Sequence, residues 1–182
     1  MNKTIWMLEN NWFKESPDLT AFNGVKMLSA LYKDFDYVYY ACDTESQLDA
    51  GLDAMQPKKG DILYIATHGA PNHLLIWNGY DNHVSMEMLS EKMGNRFSGC
   101  HLYLSACSIM KDIELSEFFR VTKVSSICGY TTDVDWIMGA SLDLMVLYLL
   151  GFYNRVRWAW KRIQRDCQSL IDALGFVMVF PT

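Results

Sequence analysis

Two side chains in this chain of 182 residues pair reactivity with a position that can use it, Cys107 and His68. A thiol reaches its nucleophilic thiolate form near neutral pH. An imidazole titrates in the same range, so it can take that proton and return it to a leaving amine. Each residue closes a short apolar run: His68 ends Tyr64-Ile65-Ala66-Thr67-His68-Gly69, and Cys107 ends Leu102-Tyr103-Leu104-Ser105-Ala106-Cys107-Ser108. Such runs read as strands of a sheet buried on both faces, whose ligands gather beyond the strand carboxyl ends. Neighbouring strands would bring the sulfur and the imidazole to one rim. Gly69 adds a backbone N–H that can approach a substrate oxygen because no side chain stands in the way. Taken singly the features are ordinary, since a strand-end cysteine is usually a small buried hydrophobe and His-Gly a turn. Their joint placement is what points to nucleophilic catalysis.

Other residues offer less. Asp133 and Asp135 could line a pocket for a basic substrate residue, or serve as a helix N-cap and a solvated loop charge. His73 and His83 read as loop residues and His101 as a strand residue. The five cysteines are odd in number and form no CxxC pair, and no Cys or His pair has zinc-finger spacing. Reduced thiols are therefore expected, with no zinc. Arg157, Trp158, Trp160, Lys161, Arg162 and Arg165 form a basic, aromatic stripe of the kind that binds nucleic acid. Val156, Ile163, Leu170 and Leu174 supply an apolar face to the same helix, which makes the charges a solvated face instead. A net charge of -5 also argues against a nucleic-acid partner.

The elements that would carry these residues alternate along the chain. Strands are expected at 4–8, 37–41, 62–66, 74–77, 102–106, 124–130 and 176–180, the fourth entering a tight turn at Asn78-Gly79. Helices are expected at 25–32, from a Thr44-Glu45-Ser46-Gln47 capping box to about 55, and from a Ser85 cap with Met86, Leu89, Met93 and Phe97 inward. Three more follow at 113–121, 137–152 and 156–174. Strands separated by helices predict an α/β fold, a three-layer α/β/α sandwich with a mostly parallel sheet, as one domain over 1–182. The apolar stretch from Ile137 to Tyr153 is short for a bilayer and carries Asp143, so a buried helix is expected rather than a membrane span. The N-terminus lacks a secretory signal pattern, and a cytosolic protein is expected.

The two blocks around His68 and Cys107 resemble the catalytic blocks of caspase-like cysteine peptidases, most closely the bacterial branch called CHAT (caspase HetF associated with repeats). Three further stretches match the pattern: Leu74 to Leu89 between the blocks, Ile127-Cys128-Gly129-Tyr130 with Val134-Asp135-Trp136, and the helix containing Ala140 to Leu150. The resemblance covers about residues 61 to 152. It implies a caspase-like fold and a cysteine endopeptidase with Cys107 as nucleophile and His68 as acid–base partner. The backbone N–H groups of Gly69 and Cys107 would form the oxyanion hole. It implies no metal or organic cofactor and a protein or peptide substrate. The chain departs from full-length relatives in showing no repeat array, so partner recognition is expected from the core itself or from an activating or recruiting protein. The alternative is a catalytically inactive caspase-like scaffold that binds partners. A flavodoxin-like ligand-binding domain fits less well, because Glu9-Asn10-Asn11-Trp12-Phe13 is not glycine-rich.

Overall fold

The structure is a computed structural model that describes residues 3–12, 19–76 and 83–182. Nine strands and six helices are seen among them: β1 (Lys3–Glu9), α1 (Phe22–Leu31), β2 (Phe35–Ala41), α2 (Glu45–Ala54), β3 (Ile62–Ala66), β4 (His68–Ala70), β5 (His73–Leu75), β6 (His83–Ser85), α3 (Met86–Met93), β7 (His101–Ser105), α4 (Ser116–Thr122), β8 (Ser126–Tyr130), α5 (Trp136–Phe152), α6 (Val156–Leu174) and β9 (Phe176–Val179). Six strands form one sheet in the order β2-β1-β3-β7-β8-β9, parallel except for the last pair. The protein is an α/β fold around a mostly parallel sheet.

Both faces of the sheet are covered. Strand residues alternate between two cores: Leu63, Ile65, Leu102 and Leu104 pack with Leu52 of α2, Leu89 of α3 and Phe118 of α4. Tyr64, Ala66 and Tyr103 pack with Val25 of α1, Val146 of α5 and Ile163 of α6. Burial on both sides is why β3, β7 and β8 are buried at every position and not at every other one.

Local signals set most of the boundaries. Thr44 Oγ1 accepts from Gln47 N–H at 3.1 Å, and the Gln47 side chain accepts from Asp43 N–H at 2.7 Å, a capping box displaced by one residue. Ser85 Oγ accepts from Met88 N–H at 3.1 Å, and Met86, Leu89 and Met93 are buried on α3, whereas Phe97, expected on the same helix, is buried beyond its end at Met93. Several expectations differ from the structure. The strand expected over 124–130 begins only at Ser126. His73 and His83 open strands, because His68–Ala70, β5 and β6 pair as a separate antiparallel sheet. Helix α4 starts at Ser116 instead of 113, where the Glu114 side chain accepts from Ser116 N–H at 2.8 Å. The strand expected to run to Trp77 ends at Leu75, with Ile76 beyond it. Trp77 and the Asn78-Gly79 turn lie outside the described residues.

Among the described residues no helix is long and apolar enough to cross a membrane. All five thiols are free.

Candidate active site

Strands β3 and β7 are parallel neighbours with Ala66 opposite Ser105, and Thr67 N–H extends the ladder to Ser105 O at 3.2 Å. Counting on from that register, His68 stands level with Cys107 at the carboxyl rim. The backbones touch there: a Cβ built on Gly69 would lie 2.5 Å from Cys107 O and 2.8 Å from Ala106 Cβ. Only glycine permits that approach. Ser105 and Cys107 line one cavity with Trp12 and Asp143 of α5, and His68 meets the Trp12 ring at its edge.

The imidazole is oriented by a third group. His68 Nε2 lies 3.1 Å from the carbonyl oxygen of Trp12, and the two rings meet edge to face with centroids 5.2 Å apart. A carbonyl can only accept, so Nε2 is the donor in this contact. Trp12 is held in turn by Glu9, which ends β1. The Glu9 carboxylate accepts from Trp12 Nε1 at 3.0 Å, Thr20 Oγ1 at 2.6 Å and Ala21 N–H at 2.6 Å. Burial raises the Glu9 pKa, while these donors oppose the rise.

Cys107 sits in a tight turn. Ser108, the next residue, has φ +54°, a left-handed conformation that a non-glycine residue adopts only when its surroundings hold it. The holding bonds run to the loop after β8: Ser108 N–H donates to Thr132 O, and Ser108 Oγ to Asp133, each at 2.9 Å. Val134 N–H points at Cys107 Sγ, 3.4 Å away. Of the five cysteines Cys107 alone is not fully buried. Burial pushes the Cys42 and Cys100 thiols up to about 12 and raises those of Cys128 and Cys167, which makes them poor nucleophiles.

Beside Cys107 lies a cavity of about 50 Å³, walled by Trp12, Val134, Trp136 and Gly139 with Asp143 among its lining residues. Asp143 is wholly buried in the middle of α5 and is held by four hydroxyls. Tyr64 donates at 2.7 Å, joined by Ser105, Tyr103 and Tyr130. Burial raises the Asp143 pKa against those donors, and burial with the neighbouring carboxylate pushes the three phenols well above their ordinary range. Asp133 and Asp135 lie on either side of Val134 but neither lines this cavity. Asp135 caps α5 by accepting from Met138 N–H at 3.0 Å. Among the described residues no three His, Cys, Asp or Glu side chains cluster as a metal site.

Sequence reasoning did not find the Trp12 carbonyl or the Asp143 network. A backbone acceptor leaves no mark in residue types. Asp143 had a legible mark, one carboxylate inside an apolar helix, which served only to argue against a membrane span.

Fold and site together define an α/β protein with a thiol and an imidazole at one rim of a parallel sheet. Within that class the chain belongs to DUF6642, a family of unknown function whose model matches residues 2–180. It matches no curated protein.

Proposed function

We propose that the protein is a caspase-like cysteine endopeptidase acting on a protein or peptide substrate through Cys107 and His68. The observation that carries the reading is the junction of β3 and β7: two reactive side chains follow paired strands, with Gly69 packed on the backbone of Cys107. The Trp12 carbonyl supplies the orienting third group that a nucleophile–base pair needs. Five free thiols agree with a reducing compartment such as the cytosol.

The chemistry runs in two displacements. His68 takes the Cys107 proton as Sγ bonds to the scissile carbonyl carbon, and the carbonyl electrons move to oxygen. The N–H groups of Gly69 and Cys107 are the donors assigned to that oxyanion. As the C–N bond breaks, His68 gives its proton to the leaving amine, leaving a thioester. Water then attacks the thioester, His68 takes the water proton and returns it to the departing thiolate, and the acid is released.

Cys107→Ala is expected to abolish peptide cleavage and labelling by a peptidyl electrophile while leaving the circular dichroism spectrum unchanged. Cleavage retained in that variant would reject the assignment. A second reading, an inactive caspase-like scaffold that binds a partner, draws on the narrowness of the cavity beside Cys107. Wild-type protein that neither cleaves nor labels would favour it, unless an activating protein restores turnover.

A further inference from the structure

We infer that the residue accepted on the carbonyl side of the scissile bond has a small, uncharged side chain, selected by the cavity between Cys107 and Asp143. The inference rests on the peptidase reading and names its substrate class. Three observations carry it.

The first is size. A water needs roughly 10–15 Å³ of the same kind of space, so about 50 Å³ admits roughly four water-sized groups. Alanine, serine, cysteine or threonine fits. The long stems of lysine and arginine and an aromatic ring exceed that number, and leucine, with four carbons, leaves no room to spare beside Val134.

The second is charge. Among the described residues Asp143 is the carboxylate lining the cavity, and a carboxylate has about four acceptor positions. Tyr103 and Tyr130 occupy Oδ1, and Tyr64 and Ser105 occupy Oδ2. A guanidinium or ammonium group finds no vacant acceptor there, and an anionic side chain finds no free donor, because all four hydroxyls already point at Asp143. Asp133 is turned away to Ser108 and Asp135 to the start of α5, so neither replaces it.

The third is the wall. Val134 stands against Gly139 so closely that a Cβ on Gly139 would fall 2.6 Å from Val134 Cγ1. The same Val134 contacts the sulfur through its N–H. The Val134 isopropyl group therefore limits the width of the cavity next to the reacting atom, while its backbone contact survives substitution by alanine.

The experiment is a fluorogenic peptide library varied at that one position, run on wild-type and Val134→Ala protein. Wild type is expected to show the highest kcat/KM with alanine or serine, and at least roughly tenfold lower values with lysine, arginine, aspartate or leucine. Val134→Ala is expected to raise leucine relative to alanine by about tenfold. A wild-type preference for a charged or large residue overturns the inference, and so does an order of preference unchanged in the variant. Where wild type cleaves nothing and Cys107 does not label, the peptidase reading fails by itself. The cavity is then judged by calorimetry of alanine- against lysine-containing peptides on Cys107→Ala protein. Tighter binding of the alanine peptide supports the selection, and equal or reversed affinity overturns it.

Discussion

A carboxylate removed from water persists only when its lone pairs are met, and Asp143 meets that condition through side chains from three strands. Tyr64 and Ser105 come from β3 and β7, the strands that end at His68 and Cys107. Tyr130 comes from the strand whose following loop reaches Cys107 Sγ. One residue of α5 thus ties together the three strand ends beneath the site. Asp143→Ala would leave buried hydroxyls without their acceptor, and urea denaturation is expected to show a loss of about 3–5 kcal/mol. A loss under about 1 kcal/mol, the size of one ordinary hydrogen bond, would mean the network does not hold the strands. The Cys107 thiol and the His68 imidazole were legible in the sequence because such groups are rare and followed apolar runs. Their orienting partners were not, because Trp12 contributes a carbonyl that every residue possesses.

At the scale of elements, the placement of α5 depends on how near it lies to the sheet edge. Gly151 on α5 faces Phe35 of β2, and a Cβ there would run into the Phe35 ring. Alanine is the better helix former by about 1 kcal/mol, so an isolated helix would gain from Gly151→Ala. Here the clash outweighs the propensity, and the variant is expected to be less stable by about 1–3 kcal/mol in urea titration. Equal or greater stability would show that the helix can shift away from Phe35. The long, strongly patterned elements were legible: the α6 expectation agrees with Val156–Leu174 at both ends, and β3 with Ile62–Ala66. The small sheet of β4, β5 and β6 was not. Strands of three residues carry no period that distinguishes them from a turn.

For the molecule as a whole, buried ionisable groups outside the site set the response to acid. His101 begins β7, is 5% exposed and pairs through Nδ1 with Ser126 Oγ at 3.0 Å. Burial, aided by the charge of Lys3, lowers its pKa to about 4. Between the unfolded value near 6.5 and about 4, the unfolded chain takes up a proton that the folded chain does not, so stability falls as pH falls through that window. The full loss is about 3 kcal/mol. Asp143 and Glu9 act in the opposite direction, since their raised pKa values favour the folded, protonated form in acid. The comparison is therefore between wild type and His101→Asn: the drop in stability from pH 7 to 4.5 is expected to be about 2–3 kcal/mol smaller in the variant. Parallel curves would show that His101 does not titrate in this way.

From the sequence alone came the α/β class, most of the element order and the two reactive residues at strand ends. Those properties follow from local pattern, apolar runs, helical spacing and caps, each readable within a few residues. The tertiary structure alone decided that β3 lies beside β7, that β9 returns antiparallel and that Trp12 reaches His68. It also turned Asp143 from a blemish in an apolar helix into a hub of four hydroxyl contacts. These are relations between segments far apart in the chain. Strand order and side-chain convergence come from packing of the whole core, which no short stretch encodes.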